Sequence, residues 1–199
     1  ALTEGEYSEK ELNDSWSEDQ ATVITLDGES VEIMGSGAQA EGSVITINAE
    51  GDYVISGELT DGRIVVSAAE KGDVRLILNN ASITSSDSAA IDVQEGNTII
   101  TLAEDSENYV EDGAADEQAG TDRNNAAVYG QDDLVFNGTG TLTVKGNYKN
   151  AIQSKDDLKF ISGNYNIEAV NHGLVGKDCI TVKDGTFEIS AANDGMHAT

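Results

Sequence analysis

The segment 151–158, AIQSKDDL, returns 22 residues later as 173–180, GLVGKDCI. An earlier copy, 127–134, AVYGQDDL, begins 24 residues before Ala151, and another copy begins at Gly195. A period in the low twenties is typical of solenoids, whose repeats bury their apolar faces only against neighbouring repeats. The repeat therefore predicts a solenoid of stacked coils with about 22 residues in each.

Equivalent positions in these copies carry the same kind of apolar side chain. Polar residues stand between most of these positions, as expected for strands with one buried and one solvated face. The pattern predicts an all-β, single-stranded parallel β-helix whose interior is lined by continuous apolar ladders. Five ladders are expected: Val128, Ile152, Leu174 and Met196; Leu134, Leu158 and Ile180; Phe136, Phe160 and Val182; Leu142, Tyr165 and Phe187; and Val144, Ile167 and Ile189.

The composition is strongly acidic, with 11 Lys and Arg against 37 Asp and Glu and a net charge of -26. Such a charge repels phosphate backbones and anionic lipid, so we expect neither nucleic acid partners nor membrane insertion. It attracts divalent cations, although solubility alone also accounts for many exposed acids. The single cysteine, Cys179, excludes an internal disulfide framework.

The chain divides into three regions by composition. Residues 1–20 form an acidic lead-in or cap, whose Trp16 is expected to dock on the end of the domain or to serve as a sugar-stacking platform. Residues 21–199 form the β-helix, and the acidic stretch 103–125 is expected to be a loop insertion. The sequence stops part-way into a copy, so we expect an open C-terminal coil and a longer natural chain.

One register of the repeat is acidic. Asp132, Asp156 and Asp178 are equivalent, and Asp133 and Asp157 stand beside the first two. Coils stack about 4.8 Å apart, so like charges here would repel by several kcal/mol at intermediate dielectric. Neighbouring lysines could offset part of this repulsion, and Ca²⁺ could offset more because it takes six to eight oxygen ligands.

A second polar column contains Asn125, Asn171 and Asn193, with Asp194 beside it. Asparagine ladders stack bends in many solenoids, and a metal ligand is the alternative role. His172 and His197 occupy different registers, so no histidine metal site is predicted. Cys179 replaces an acid of the preceding copies and leaves the acidic register one ligand short there. The predicted calcium ligands are Asp132, Asp133, Asp156, Asp157, Asp178, Asn171 and Asp194.

Several ordered blocks resemble bacterial secreted carbohydrate-binding proteins that form a right-handed parallel β-helix, similar in shape to pectate lyases. The resemblance runs from about Trp16 over nearly the whole chain. The blocks are Asp14-Ser15-Trp16, GDYVISG at 51–57, TDGRIVV at 60–66, Glu107-Asn108 with Asp112-Gly113, NAAVY at 125–129, Asp132-Asp133-Leu134, GTGTLTV at 138–144 and GLVGKD at 173–178.

The resemblance implies noncatalytic, calcium-associated binding of plant or bacterial polysaccharide, either cellulose or acidic sugars, by a bacterial protein that is secreted or at the cell surface. Two alternatives stay open. One is a self-assembling extracellular scaffold or filament subunit that associates end to end, and the other is a calcium-dependent polysaccharide lyase. The expected sugar contacts are Tyr129, Tyr148, Lys149, Lys155, Lys177 and His172.

Overall fold

The computed structural model describes residues 7–68, 72–114 and 124–198. Almost all regular structure in these residues is β-strand. A helix α1 (Glu9–Leu12) and a 3₁₀ turn (Glu18–Gln20) precede the strands. The strands are β1 (Thr22–Gly28), β2 (Ser30–Met34), β3 (Ala38–Glu41), β4 (Val44–Ile47), β5 (Gly51–Leu59), β6 (Arg63–Ser67), β7 (Val74–Ser85), β8 (Ile91–Glu95), β9 (Thr98–Leu102), β10 (Glu107–Asp112), β11 (Ala126–Gly130), β12 (Leu134–Gly138), β13 (Thr141–Gly146), β14 (Asn150–Ser154), β15 (Asp157–Phe160), β16 (Asn164–Ala169), β17 (Leu174–Gly176), β18 (Cys179–Val182), β19 (Thr186–Ala191) and β20 (Met196–Ala198).

Parallel pairing repeats every three strands. Strands β11, β12 and β13 pair in parallel with β14, β15 and β16, which pair in turn with β17, β18 and β19. The strands lie in a 12-stranded sheet and an 8-stranded sheet. Each coil of the repeat therefore adds one strand to the smaller sheet and two to the larger one. The fold is all-β with a curled, mainly parallel arrangement.

All five apolar ladders predicted from the repeat are confirmed by the strand register. Val128 pairs with Ile152, Ile152 with Leu174 and Leu174 with Met196. The other four ladders pair in the expected order. Most of these side chains are fully buried in one continuous core, because equivalent residues of successive coils point to the same side of their strands.

Aromatic residues fill one part of this core. The rings of Phe136 and Phe160 stack with centroids 5.0 Å apart, and those of Tyr165 and Phe187 stack at 4.9 Å. Phe160 also meets both Tyr165 and Phe187 edge-on. These contacts span three coils, so the aromatic stack ties neighbouring repeats together.

The first strands depart from the predicted parallel pattern. β1 pairs with β2, and β3 pairs with β4, in antiparallel hairpins. Gly28 and Gly42 supply the positive φ angles, +67° and +60°, that these tight turns require. A hairpin forms locally at low entropic cost, whereas a parallel pair needs a whole coil between its strands.

Part of the predicted acidic loop is a strand. β10 (Glu107–Asp112) pairs in parallel with β7 and β13, and Val110 is fully buried. Asn108, Val110 and Asp112 are buried and the residues between them are not. Because two of these three buried residues are polar, the sequence does not show the apolar alternation that would indicate a strand. Residues 115–123 of the predicted loop lie outside the described residues.

Residues 7–21, here called the N-terminal strap, run across the outer face of the larger sheet. Trp16 packs against Val54, Ile77 and Ala103. Tyr7 packs against a second apolar group formed by Ile99, Val135 and Ile161. These side chains belong to strands of the larger sheet or follow them directly, so the strap covers the side of the sheet and Trp16 does not dock on an end of the domain as expected.

Polar contacts also fasten the strap. The Asn137 side-chain amide donates to the backbone carbonyls of Glu11 and Asn13, at 2.9 and 3.2 Å. Arg75 donates to the Asn13 carbonyl at 3.2 Å, and Lys10 pairs with Asp73. Together with the apolar contacts they fix the strap along several coils.

No helix in the described residues is long and apolar enough to cross a membrane.

Candidate functional site

The carboxylate cluster consists of Asp133, Asp156 and Asp157, whose ligand oxygens all lie within 4.8 Å of one another. Asp133 precedes β12, and the other two residues lie where β14 bends into β15. The parallel register of β12 and β15 superimposes these bends. Of the predicted acidic register only Asp156 belongs to this group, and it is joined by Asp133 and Asp157, the two acids beside the register.

Two other members of the register have different surroundings. Asp132 accepts a hydrogen bond from the Gly96 backbone at 3.1 Å, which directs one of its oxygens toward the preceding coil. Asp178 donates its backbone N–H to the Asp156 carbonyl at 3.3 Å, and its carboxyl is among the causes that raise the pKa of Asp156. Cys179 aligns with Asp157, so a thiol stands where the preceding coil has a carboxylate.

The cluster is electrostatically strained. Burial raises the pKa of Asp133, and the hydrogen bond from the Asp157 backbone and the charge of Lys159 offset only part of this effect. The pKa of Asp156 is also raised, by loss of solvent and then by the neighbouring Asp133 and Asp178 carboxyls. Both groups therefore resist ionisation, and a cation would relieve the repulsion.

The donor set of the carboxylate cluster fits a hard cation. Every side-chain ligand is a carboxylate oxygen, and Ca²⁺ takes oxygen ligands at about 2.3–2.6 Å with mono- or bidentate carboxylates. Asp133, Asp156 and Asp157 would hold such an ion, which would supply positive charge to this edge of the smaller sheet.

A column of polar residues, here called the bend column, lies where β13 passes into β14 and at the equivalent bends. Asn193 donates its backbone N–H to the Asn171 carbonyl, and Asn171 does the same to Lys149, at 2.9 and 2.8 Å. The Lys149 ammonium group reaches the Asn125 side-chain oxygen at 3.0 Å. Asn125, Lys149, Asn171 and Asn193 thus form one row, with lysine at the position where the sequence lacks an asparagine.

Two predicted sugar contacts stand together at this row. Lys149 is exposed and its ammonium lies 5.1 Å from the centroid of the Tyr148 ring. Asp112, which is fully buried, accepts hydrogen bonds from the backbone N–H groups of Asn147 and Tyr148 at 2.6 and 3.2 Å. The carboxylate of Asp112 therefore positions the bend that presents Tyr148 and Lys149, a role that its place in an acidic stretch concealed.

The other predicted sugar contacts are divided. His172 adjoins the bend column, but Lys155 and Lys177 lie beyond the opposite ends of β14 and β17, beside the carboxylate cluster. Tyr129 is only 3% exposed and packs against Ala89 and Ala126. It is therefore not available as a surface contact, contrary to the prediction.

Asp194 and Asn171, two of the predicted calcium ligands, lie apart from the carboxylate cluster, at the bend column. Asn171 donates from its side-chain amide to Asn150 at 2.9 Å. One oxygen of Asp194 lies 2.8 Å from Nδ1 of His197 and 3.4 Å from Nδ1 of His172. Sequence reasoning missed this group because it required equal registers for the two histidines.

The two imidazole rings stack with centroids 4.4 Å apart and planes 20° from parallel. His172 lies at the bend before β17. His197 lies one coil further along, on β20, and its Cα atom pairs with that of Val175 on β17. The two rings therefore meet at the end of the smaller sheet's bend. The sequence carried one signal of this contact, the short separation of Asp194 from His197.

A cavity of about 490 Å³ lies beside Trp16. Asp14, Glu104 and Thr139 supply polar groups to its lining. An aromatic face with carboxylates and a hydroxyl is a combination suited to sugar hydroxyls. Trp16 is therefore placed to contact a small ligand as well as the sheet.

The chain belongs to a family of carbohydrate-binding domains. A family model described as "Carbohydrate-binding domain-containing protein" matches residues 41–199, so the chain is a member of that family. The N-terminal strap lies outside the matched residues.

Two relatives give the likeness in numbers. A carbohydrate-binding domain-containing protein of Acetivibrio thermocellus is 34% identical over 128 residues, which is 63% of this chain and 45% of that protein. The chain thus spans about half the length of this relative. A solved structure described as the polysaccharide lyase-like protein from C. thermocellum, a gadolinium derivative, superimposes with a TM-score of 0.81 at 29% identity. That superposition covers 89% of this chain and 73% of the other.

Proposed function

We propose that this protein binds an extended polysaccharide without cleaving it, and that the bend column with Tyr148 is its contact surface. The observation that carries the proposal is the row itself. Four coils in succession present Asn125, Lys149, Asn171 and Asn193, each joined to the next by a hydrogen bond. Strand spacing sets the repeat at about 4.8 Å, which suits a polymer with its own regular repeat.

The surface favours an acidic sugar. Lys149 is an exposed cation in a chain of net charge -26, and the surrounding amides can donate to carboxylate or hydroxyl oxygens. The ring of Tyr148 offers an apolar face to a sugar ring. Membership of the carbohydrate-binding family supports a polysaccharide as the partner.

Calcium is the second part of the proposal. Ca²⁺ at Asp133, Asp156 and Asp157 would neutralise a strained cluster beside Lys155 and Lys177, and could bridge the protein to uronate carboxylates. Both sites flank the smaller sheet, one at the start and one at the end of β14. A bound acidic polymer could therefore engage the two together.

The coil arrangement and the cellular setting follow the same reasoning. The repeated three-strand pairing supports a right-handed parallel β-helix, because crossovers between parallel strands are right-handed in almost all proteins. A binding protein for plant or bacterial polysaccharide acts where the polymer is, so we propose that the protein is secreted or displayed at a bacterial cell surface.

A glycan array with cellulose fragments and oligogalacturonates, run with Ca²⁺ and with EDTA, tests the proposal. We expect binding to acidic oligosaccharides that Lys149→Gln lowers about tenfold, by loss of one charged contact worth about 1.5 kcal/mol. Lys183→Gln, at an exposed lysine directly after β18 of the larger sheet, is the matched control. A loss confined to Trp16→Ala would place the site at the strap cavity instead. Binding unchanged by EDTA would remove calcium from the proposal.

The lyase alternative is favoured by one observation, the position of Lys155 and Lys177 beside the carboxylate cluster. A lyase would release unsaturated products that absorb in the ultraviolet, and Lys177→Ala would abolish their release. Their absence from polygalacturonate incubated with Ca²⁺ is the expected result.

The scaffold alternative remains a prediction, for which sedimentation at varied Ca²⁺ is the measurement.

A further inference from the structure

We infer that His172, Asp194 and His197 form a binding site for a first-row transition metal of the Zn²⁺ class, distinct from the carboxylate cluster. The three residues come from two successive coils, and their ligand atoms lie within 4.8 Å of one another. They include both histidines of the chain. This inference does not depend on polysaccharide binding.

The distances suit tetrahedral ligation. Zn²⁺ binds nitrogen and oxygen at about 2.0–2.2 Å, so neighbouring ligand atoms of a tetrahedral site lie about 3.3 Å apart. The separations from the Asp194 oxygen are 3.4 Å to Nδ1 of His172 and 2.8 Å to Nδ1 of His197. Asp194 and His197 are exposed enough for their side chains to rotate toward an ion.

Hydrogen bonds place His172 beside Asp194. The Asp194 backbone N–H donates to Nδ1 of His172 at 3.2 Å, so the lone pair of this nitrogen faces Asp194, and an ion bound there would replace this hydrogen bond. The His172 backbone N–H donates in turn to the side chain of Asn150 at 3.1 Å. Asn150 also accepts from Asn171, which continues the bend column. These neighbours hold the main chain at His172 in place.

The donor set separates the two sites chemically. Imidazole nitrogen suits Zn²⁺, Ni²⁺ and Cu²⁺, whereas carboxylate-only sites suit Ca²⁺ and Mg²⁺. Asp194, predicted from the sequence as a calcium ligand, therefore serves a different class of ion. Three protein ligands leave a fourth position for water, the arrangement of an open site.

Titration of the untagged protein with Co²⁺, followed by visible absorption and calorimetry, tests the site. We expect one Co²⁺ per chain with the d–d bands of a nitrogen-containing, four- or five-coordinate centre, displaced by Zn²⁺ and unaffected by excess Ca²⁺. His197→Gln and His172→Gln should each weaken binding by about 100-fold or more, since loss of an outer partner alone costs 10- to 100-fold. Asp156→Asn, in the carboxylate cluster, should leave Co²⁺ binding unchanged.

Two results would overturn the inference. One is a Co²⁺ spectrum that survives in the double variant His172→Gln and His197→Gln. The other is a spectrum lost in Asp156→Asn, which would place the ion among the acids. Both histidines are partly exposed, so the variants should keep the wild-type far-ultraviolet circular dichroism. If they fold and the wild type itself gives no bands at millimolar Co²⁺, the site does not exist. Glycan binding is measured separately, so failure of one proposal does not imply failure of the other.

Discussion

The ammonium group of Lys159, on β15, lies 2.9 Å from the carboxylate of Glu11 in the N-terminal strap. Both side chains are mostly buried, 15% and 13% exposed. We expect Lys159→Met and Glu11→Gln each to lower the free energy of unfolding by about 1.5–3 kcal/mol, the range for hydrogen bonds to charged groups. Urea denaturation of the two single variants and the double variant measures the coupling. Lys145→Met serves as the control, because Lys145 meets Glu168 at 3.7 Å on an exposed surface, where pairs contribute little. Equal losses in Lys159→Met and Lys145→Met would contradict the prediction.

Acid should release the strap. Burial acts to raise the pKa of Glu11, but hydrogen bonds from Ser8 and Lys159 outweigh it, and the net pKa lies below the usual 4.5. The stabilisation from this carboxylate is therefore complete above about pH 4.5 and is lost as the pH falls through the lowered pKa. Emission from Trp16, the only tryptophan, should shift to the red in that window. The same titration of Glu11→Gln should lack this step.

Neutralising the carboxylate cluster should stabilise the metal-free protein. The pKa of Asp133 and that of Asp156 are raised above the usual 3.8, so the folded state binds protons before the unfolded chain does. The cost of their ionisation is fully present at pH 7 and falls as the pH drops through the raised values toward 3.8. Asp156→Asn should therefore raise the melting temperature in EDTA at pH 7.

The same substitution should abolish stabilisation by calcium. A ligand at 100 times its Kd adds about 2.7 kcal/mol to a protein that binds it only when folded. Glu188→Gln removes one charge from an exposed position on β19 and should retain the full response to Ca²⁺. A wild-type melting temperature that does not change with Ca²⁺ would count against the cluster as a calcium site.

The aromatic stack should be the most sensitive part of the core. Phe160 is fully buried and contacts Phe136, Tyr165 and Phe187. Phe160→Ala should cost about 3–5 kcal/mol, by loss of burial and creation of a cavity. Phe187→Ala, at a partly exposed site, should cost clearly less. Chemical denaturation with both variants checks the order.

The sequence predicted the repeating part of the fold almost completely, because equivalent residues of successive coils share one environment. Val128 and Ile152 can be aligned by eye, and their Cα atoms are paired. The same logic stacked the bends that carry Asp133, Asp156 and Asp157, but it did not show that these three carboxylates rather than the column of Asp132, Asp156 and Asp178 would converge. Where the chain does not repeat, this source of information is missing. The two N-terminal hairpins and β10 were therefore not predicted.

Contacts between different registers were also beyond sequence reasoning. His172 and His197 are 25 residues apart, three more than the repeat, so they do not occupy equivalent positions in their coils. Their rings meet only because the path of the chain from the bend into β20 brings His197 beside His172. Trp16 was expected to dock on the domain, but where it docks depends on which residues on the outer face of the larger sheet are apolar. Val135 was visible as an exception to strand alternation, and Tyr7 of the strap packs against the group it forms with Ile99 and Ile161.

The strap is synthesised before the coils that it crosses, and it can be fastened only after Lys159 has been made. Its Glu11 joins Lys159 across 148 residues, whereas each coil needs only its immediate neighbours to form. Coil-by-coil growth involves short loops and is fast, and closing a loop of this length carries the larger entropy cost. Strap docking should thus be the last step of folding, and Trp16 fluorescence would report it after the sheets have formed.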